Sequence, residues 1–136
     1  MTTADQGEPR PIGASSDPRV TLAVALDTVA VLSLAVIGRA AHAESLGILS
    51  VLETAAPFLA GTYITHLLAV RYWPPMSLSK AGPAVWAGTW ALGMVGRLMM
   101  GQTNAGAFMA ITAAYLGVTI IGWRAIASIR AAKRRR

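Results

Sequence analysis

The fold class of this chain is decided by residues 20–38, which read VTLAVALDTVAVLSLAVIG. Nearly all of these side chains are apolar, and the segment carries a single charge, at Asp27. A helix that crosses the hydrocarbon core of a bilayer needs about 20 predominantly apolar residues, because each residue advances the helix by ~1.5 Å. The stretch therefore predicts a transmembrane helix.

Three more apolar segments follow, at residues 46–69, 83–100 and 106–123. Paired prolines at positions 74 and 75 end the second segment, since proline cannot continue a helix. Short connections make consecutive helices antiparallel neighbours, so the sequence predicts an all-α integral membrane bundle of four transmembrane helices, arranged as two tandem helical hairpins. We expect this domain at residues 20–124, between a disordered cytoplasmic tail at residues 1–19 and a basic cytoplasmic tail at residues 125–136.

The composition also indicates a membrane protein. Hydrophobic residues make up 54% of the chain and charged residues only 13%, against about 25% charged residues in an average soluble domain. The chain has no cysteine, which excludes disulfides, thiolate metal sites and cysteine nucleophiles. Its net charge of +6 comes from basic residues that flank the apolar segments, so we predict the lipid bilayer, and no nucleic acid, as its partner.

The distribution of Lys and Arg predicts the orientation. With both termini in the cytoplasm, ten of the twelve basic residues lie on the inner side, and only Arg39 and Arg97 lie outside. The positive-inside rule therefore predicts a multi-pass protein of the inner (plasma) membrane with cytoplasmic N and C termini. The final RAAKRRR, at residues 130–136, should attract anionic lipids of the inner leaflet.

The two halves of the chain share a pattern at a constant spacing. The gapless shift that moves Gly38 onto Gly96, which we call the hairpin shift, superimposes three pairs of short motifs, namely Gly38-Arg39 on Gly96-Arg97, Glu44-Ser45 on Gln102-Thr103, and Thr54-Ala55-Ala56 on Thr112-Ala113-Ala114. A duplicated hairpin explains the pattern, and coincidence in a biased composition is the alternative. A duplication would imply a pseudo-two-fold axis along the membrane normal, as in other parallel-repeat membrane proteins.

Five polar residues in or beside the apolar segments are candidates for function, namely Asp27, Arg39, His42, Glu53 and Arg97. Each arginine could extend its guanidinium to the headgroups, or the two could form one anion site. Asp27 is either functional or an interhelical hydrogen-bonding group. If it is functional, Asp27→Asn should preserve folding and lower activity. For Glu53 we predict an ion pair with Arg39 or Arg97.

The sequence shows no set of residues typical of an enzyme, a metal site or a cofactor site. His42 and His66 fall near opposite ends of the bundle, so one haem could not join them within a subunit. Met94, Met99, Met100 and Met109 are better explained as space-filling residues of membrane helices than as a copper site. We therefore predict a non-enzymatic protein without metal or cofactor.

Seven features in a fixed order resemble a known family. They are Asp27, GRAAH at 38–42, APF at 56–58, PAVW at 83–86, GMVGR at 93–97, AGAF at 105–108 and GWR at 122–124. The chain resembles the small membrane proteins of domain of unknown function 3054, found mainly in actinobacteria and haloarchaea. The resemblance implies a four-span membrane protein and carries over no catalytic residue. Alanines flank His42 where the family pattern has polar residues, which argues against a role that needs an adjacent carboxylate.

Two functions compete on this sequence. The first is a carrier or channel-like protein for a small solute, which acts as an oligomer and lines its pathway with Asp27, Glu53, Arg39 and Arg97. The second is a non-catalytic accessory or scaffold subunit of a larger membrane complex. Charged residues inside apolar segments favour transport. The small size of the chain and its charge-free fourth segment favour the accessory subunit.

Overall fold

The computed structural model describes residues 17–135, which are helical apart from short connections and contain no strand. The helices are α1 (Pro18–Ala41), α2 (Ile48–Ala69), α3 (Ala81–Met99), α4 (Gly106–Leu116) and α5 (Gly122–Lys133). A π-helical turn, Gly117–Ile121, joins α4 to α5, so that Gly106–Lys133 is one continuous helix. The tail predicted at residues 1–19 falls largely on residues 1–16, which lie outside the described residues.

Helical structure extends beyond both predicted domain boundaries. Asp17 caps α1 by accepting a hydrogen bond from the backbone nitrogen of Arg19 at 2.9 Å, and Pro18 takes the first helical position, where its missing N–H costs nothing. At the other end α5 continues past Arg124 to Lys133, so most of the predicted basic tail is helical.

Three helices of the described chain are long and apolar enough to cross a membrane, namely α1, α2 and the continuous helix Gly106–Lys133. This confirms the predicted all-helical fold and shows three helices suited to a membrane, rather than the four predicted. The helix that falls short is α3, which contains four glycines, two tryptophans and Arg97. Small and amphipathic side chains reduce the apolar character of α3, and they serve instead in packing.

The close packing of α3 against α2 depends on glycine. A Cβ added at Gly96 would lie 2.8 Å from Cβ of Pro57, and one added at Gly61 would lie 3.0 Å from the carbonyl oxygen of Thr89. Gly93 lies directly against the ring of Phe58. Glycine thus lets the two backbones approach as closely as they do, which is typical of helix pairs in membranes.

Buried apolar side chains from α1, α2, α3 and the continuous helix form one core, which includes Val31, Ala35, Ala55, Phe58, Val85, Leu116 and Ile120. Two indoles extend this core from α3 to α4. Trp86 Nε1 donates to the carbonyl oxygen of Ala113 at 2.8 Å, and Trp90 Nε1 donates to that of Met109 at 3.0 Å. Both tryptophans are therefore fixed in a packing seam and have their N–H groups satisfied.

The helix boundaries repeat under the hairpin shift. The first helix of each hairpin ends at Ala41 and at Met99, and the second begins at Ile48 and at Gly106. Both connections also contain one residue with positive φ at the corresponding position, Ala43 at 54° and Gly101 at 75°. The two connections therefore share a local backbone conformation as well as a sequence pattern, which supports a duplicated hairpin.

Candidate functional site

Charged side chains collect at the two opposite ends of the bundle. Because consecutive helices run antiparallel, α1 and α3 finish at the same end, where Arg39 and Arg97 lie; we call it the arginine end. The other end holds Asp27, the connection at residues 70–80 and Arg124, and we call it the aspartate end. Twelve positions along α1 separate Asp27 from Arg39, or roughly 18 Å at ~1.5 Å per residue.

At the aspartate end, the carboxylate of Asp27 accepts hydrogen bonds from three fully or partly buried side chains. Arg124 binds it with two nitrogens, Nη1 at 3.0 Å from Oδ1 and Nη2 at 2.8 Å from Oδ2. His66 Nε2 lies 2.8 Å from Oδ2, and Trp123 Nε1 lies 2.7 Å from Oδ1. We call these four residues the aspartate cluster. Asp27 and Arg124 are 0% exposed, so this is a bidentate ion pair shielded from solvent.

The guanidinium of Arg124 also binds the backbone on both sides of the cluster. Nη1 donates to the carbonyl oxygen of Ile120 at 2.9 Å, and Nε donates to that of Pro75 at 3.2 Å. Its central carbon lies 4.3 Å from the centre of the Trp123 ring, a cation–π distance. The cluster therefore ties α1, α2 and α5 to the connection that precedes α3, and closes this end of the bundle.

Sequence reasoning found Asp27 but missed its partners. The sequence places Arg124 among the basic residues of the inner side and in the GWR motif, and it pairs neither Arg124 nor His66 with Asp27. The sequence nevertheless contains a signal that could have identified them. The hairpin shift superimposes Arg124 on His66, so both hairpins carry a hydrogen-bond donor at the same position inside an apolar helix. The π turn before Trp123 could not be predicted. It inserts one extra residue per turn and so rotates the residues after it by about 100°.

At the arginine end, Arg39 is held by its own connection and by α2. Nη1 lies 3.0 Å from a carboxylate oxygen of Glu44 and donates to Oγ1 of Thr54 at 3.0 Å. Nε donates to the carbonyl oxygen of Ser45 at 2.7 Å. The Arg39 side chain is 16% exposed and its charge is balanced by Glu44.

Arg97 repeats one of these contacts but lacks the carboxylate. Nη2 donates to the carbonyl oxygen of Thr103 at 3.2 Å, which is the counterpart of the Arg39–Ser45 contact under the hairpin shift. Nε donates to Oδ1 of Asn104 at 3.1 Å, and the guanidinium lies 4.1 Å from the centre of the Phe108 ring. Gln102 stands where the first connection has Glu44, so no carboxylate within residues 17–135 pairs with Arg97.

Both arginines line a single cavity of about 740 Å³. Its walls come mainly from α1 and α4, with Thr54, Ala55 and Phe58 contributed by α2. Most of the lining is apolar, and the polar groups are concentrated towards the connections. Ile37 and Ile111 line the cavity although they are 53% and 66% exposed, so the cavity reaches the protein surface between α1 and α4.

The five predicted residues are divided among three places. Arg39, Arg97 and His42 line the cavity, whereas Asp27 belongs to the cluster at the opposite end. Glu53 lies on the exposed face of α2. The predicted ion pair between Glu53 and an arginine is wrong, because Thr54 occupies the inward-facing position and Arg39 pairs with Glu44. A pathway lined jointly by Asp27, Glu53 and both arginines does not form in this conformation.

A family profile described as "Protein of unknown function (DUF3054)" matches residues 24–127, the part of the chain that contains both the cavity and the aspartate cluster. The chain belongs to the DUF3054 family. The resemblance noted in the sequence is thus confirmed, and it comes without an assigned activity. No curated protein and no solved structure gives a significant match.

The site of this DUF3054 protein offers two kinds of chemistry. The aspartate cluster is saturated: within the described chain no buried side-chain nitrogen or oxygen lacks a hydrogen-bond partner. The cavity, in contrast, combines cationic donors with an apolar wall. In residues 17–135 no three His, Asp or Glu side chains converge as a metal site would require. The cavity is therefore the part of the molecule suited to binding a small ligand.

Proposed function

We propose that this DUF3054 protein is a non-enzymatic carrier for a small solute, with four membrane spans and both termini in the cytoplasm. The fourth span in this proposal is α3. Its 19 residues extend about 28 Å at ~1.5 Å per residue, close to the ~30 Å of a bilayer core. Its glycines mostly face α2 and its tryptophans face α4 rather than lipid. A helix with such contacts can cross the membrane with a less apolar sequence.

One observation carries the proposal: a ligand-sized cavity lies at the arginine end, where its lining includes the exposed connection residues His42 and Glu44, while the aspartate end is closed by a buried ion pair. A carrier holds its solute in a site that opens to one side of the membrane at a time. The volume of about 740 Å³ lies within the roughly 300–1,000 Å³ range of small-molecule sites. The conformation described corresponds in this proposal to a state open towards the outside.

Opening of the opposite side would require α5 to separate from α1, which means breaking the contacts between Asp27 and Arg124. The π turn, Gly117–Ile121, lies between the cavity wall and Arg124, and π turns are places where helices adjust their register. The aspartate cluster would then act as the inner gate, and the π turn as the point about which α5 moves.

The proposal includes an oligomer. Glu53 places a carboxyl group on an exposed face of α2 that also carries Leu49 and Leu52. An ionised carboxylate that faces lipid costs roughly 2.5–3.5 kcal/mol at a helix centre on insertion scales, and less at Glu53, which lies in the second turn of α2. Contact with a second subunit would satisfy this group. Glu53→Leu should then lower the oligomeric mass measured by light scattering in detergent, and an unchanged mass would remove this support.

An accessory subunit of a larger complex remains the second candidate, and a specific observation favours it. The Arg124 guanidinium donates its hydrogen bonds to Asp27 and to backbone carbonyl oxygens. Such contacts are typical of a cluster that serves only to hold helices together. An accessory protein would keep this cluster closed permanently. The two candidates therefore differ in whether the cavity ever opens towards the aspartate end.

Thiol labelling distinguishes the candidates cleanly, because the chain contains no cysteine of its own. Leu34→Cys places a thiol in the cavity wall, and Val36→Cys places one on the exposed face of the same helix, outside the cavity. In proteoliposomes of known orientation, a membrane-impermeant reagent should label position 34 rapidly from the arginine side and slowly from the aspartate side. Position 36, buried in lipid, should react from neither side. Labelling of position 34 from the arginine side alone would overturn the carrier proposal and favour the accessory subunit.

A further inference from the structure

The charges that line the cavity do not cancel. Its ionisable lining residues are Arg39, Arg97, His42, Glu44 and Tyr115. The two arginines and the one glutamate sum to a net charge of +1. Arg39 already pairs with Glu44 at 3.0 Å, so the uncompensated charge belongs to Arg97. A cation without a counter-ion beside an apolar wall is unfavourable, and a bound anion would relieve it.

The guanidinium of Arg97 is positioned to accept such an anion. Nε and Nη2 hold it to Asn104 and Thr103, and Phe108 packs against its face, so its plane is fixed. Nη1 donates to no group within the described residues, which leaves N–H donors available for an oxygen ligand. Gln102 lines the same end of the cavity and adds an amide. This arrangement suits a carboxylate or a phosphate oxygen.

The remainder of the cavity suits a different part of the ligand. Away from the arginines the lining is mostly apolar, with Val31, Ala35, Phe58 and Ile111. The hydroxyls of Thr112 and Tyr115 also lie there, but they are already hydrogen-bonded within the protein, so a wholly polar solute would lose much of its hydration without compensation. The cavity also reaches the surface between the exposed side chains Ile37 and Ile111, and in a membrane this surface faces lipid. A ligand with an apolar chain could therefore enter sideways from the bilayer.

We infer that the cavity binds an amphipathic monoanion, with its carboxylate or phosphate group at Arg97 and its single apolar chain along the wall between α1 and α4. This inference rests on the proposal that the cavity is the solute site, and it names the class of solute. The same chemistry could be supplied by a free fatty acid or by a single-chain anionic lipid, and the binding experiment below includes one probe for each source.

The first test varies the ligand and leaves the protein unchanged. The full-length chain in nanodiscs is titrated calorimetrically with decanoate, decanol, acetate and a lysophosphatidylglycerol, with empty nanodiscs as the baseline. Decanoate or the lysolipid should bind saturably, whereas decanol lacks the charge and acetate lacks the chain, and both should bind at least tenfold more weakly. The stronger of the two anionic probes identifies the source. Decanol binding as tightly as both anionic probes, or no saturable binding by either anion, would overturn the inference.

The second test varies the site. Arg97→Gln should weaken binding by about ten- to a hundredfold, since hydrogen bonds to charged groups contribute ~1.5–3 kcal/mol. Ala107→Leu, which narrows the cavity, should also weaken it, whereas Ala110→Leu on the same helix lies outside the lining and should not. The alanine pair keeps the test decisive if the arginine variant folds poorly. Binding that survives both Arg97→Gln and Ala107→Leu would place the ligand elsewhere.

The outcome of these titrations is separate from that of the labelling experiment. If the anion binds but position 34 is labelled from one side only, the ligand class stands and the carrier proposal fails. If position 34 is labelled from both sides but no anionic amphiphile binds, the carrier proposal stands and the ligand class fails.

Discussion

Asp27→Asn is the substitution that most directly probes the interior of this bundle. From the sequence alone it should preserve folding, because asparagine is nearly isosteric with aspartate. The contacts of Asp27 lead to the opposite expectation. Its two oxygens accept from four donor nitrogens at 2.7–3.0 Å, two of them on Arg124. An asparagine would offer one oxygen as acceptor and would direct an NH₂ group at one pair of these donors.

The magnitude follows from the burial of the pair. Arg124 is 0% exposed, so loss of the negative charge leaves a guanidinium in the interior without a counter-ion. Breaking a buried ion pair by removing one partner costs about 3–5 kcal/mol. We therefore expect Asp27→Asn to reduce the folding equilibrium constant by about a hundredfold or more. Asp17→Asn is the matched control, because Asp17 is an exposed N-cap and asparagine caps equally well.

Equilibrium unfolding in mixed micelles would measure this effect through a double-mutant cycle. Asp27→Leu and Arg124→Leu should each destabilise the protein, whereas the double variant should be far more stable than the sum of the two effects predicts, because no charge is left unpaired. Asp17→Asn should change the free energy of unfolding by less than ~0.5 kcal/mol. Wild-type stability for Asp27→Asn, or strict additivity of the two leucine variants, would refute the assignment of the buried pair.

Three further outcomes can be checked independently. A reporter fused to the C terminus should be active only in the cytoplasm, and a cysteine at Ala43 should react from the outside; periplasmic reporter activity would invert the topology. Deletion of residues 130–136 should leave the bundle folded but lower the share of anionic lipids among the lipids that co-purify with the protein. Each basic residue contributes ~1 kcal/mol near an anionic surface. Loss of the folded bundle would contradict this role. Gly96→Ala should lower the melting temperature, because overpacking costs about 1–3 kcal/mol. Gly38→Ala, at the corresponding position, has open space around it and should be neutral or stabilising. Equal effects of the two substitutions would contradict the close helix contact at Gly96.

Much of the architecture could be predicted because it depends on properties that are local in sequence. An apolar segment in a bilayer must satisfy its own backbone hydrogen bonds, so residues 20–38 could form little other than a helix. The repeated motifs correctly anticipated that Arg39 and Arg97 would lie at equivalent helix ends, in the last turns of α1 and α3. The expectation for α3 was less secure, because its glycines and tryptophans serve contact with neighbouring helices, and such contacts are not visible in hydropathy.

The candidate site was only half predictable. Periodicity and composition identified Asp27 as a costly residue that needs a partner, yet its main partner lies 97 positions away in the chain. The predicted ion pair of Glu53 with Arg39 or Arg97 does not form, and Arg39 pairs with Glu44 instead, because Thr54 and not Glu53 lies on the inward face of α2. The sequence does not fix the residue at which α2 begins, so it cannot decide to within one residue which side chains face inward.

Composition and short-range order are enough to specify the helical class, the apolar segments and the family of this protein. Which charges meet depends instead on tertiary packing. The α1 and α5 helices contact each other, and the π turn reorients Trp123 and Arg124. As a result the side chains of Trp123, Arg124 and His66 all contact the carboxylate of Asp27. The replacement of Glu44 by Gln102 in the second connection is visible in the sequence. Only the partial burial of Arg97 beside an apolar cavity makes that single change matter, because an unpaired charge is costly only where water cannot solvate it freely.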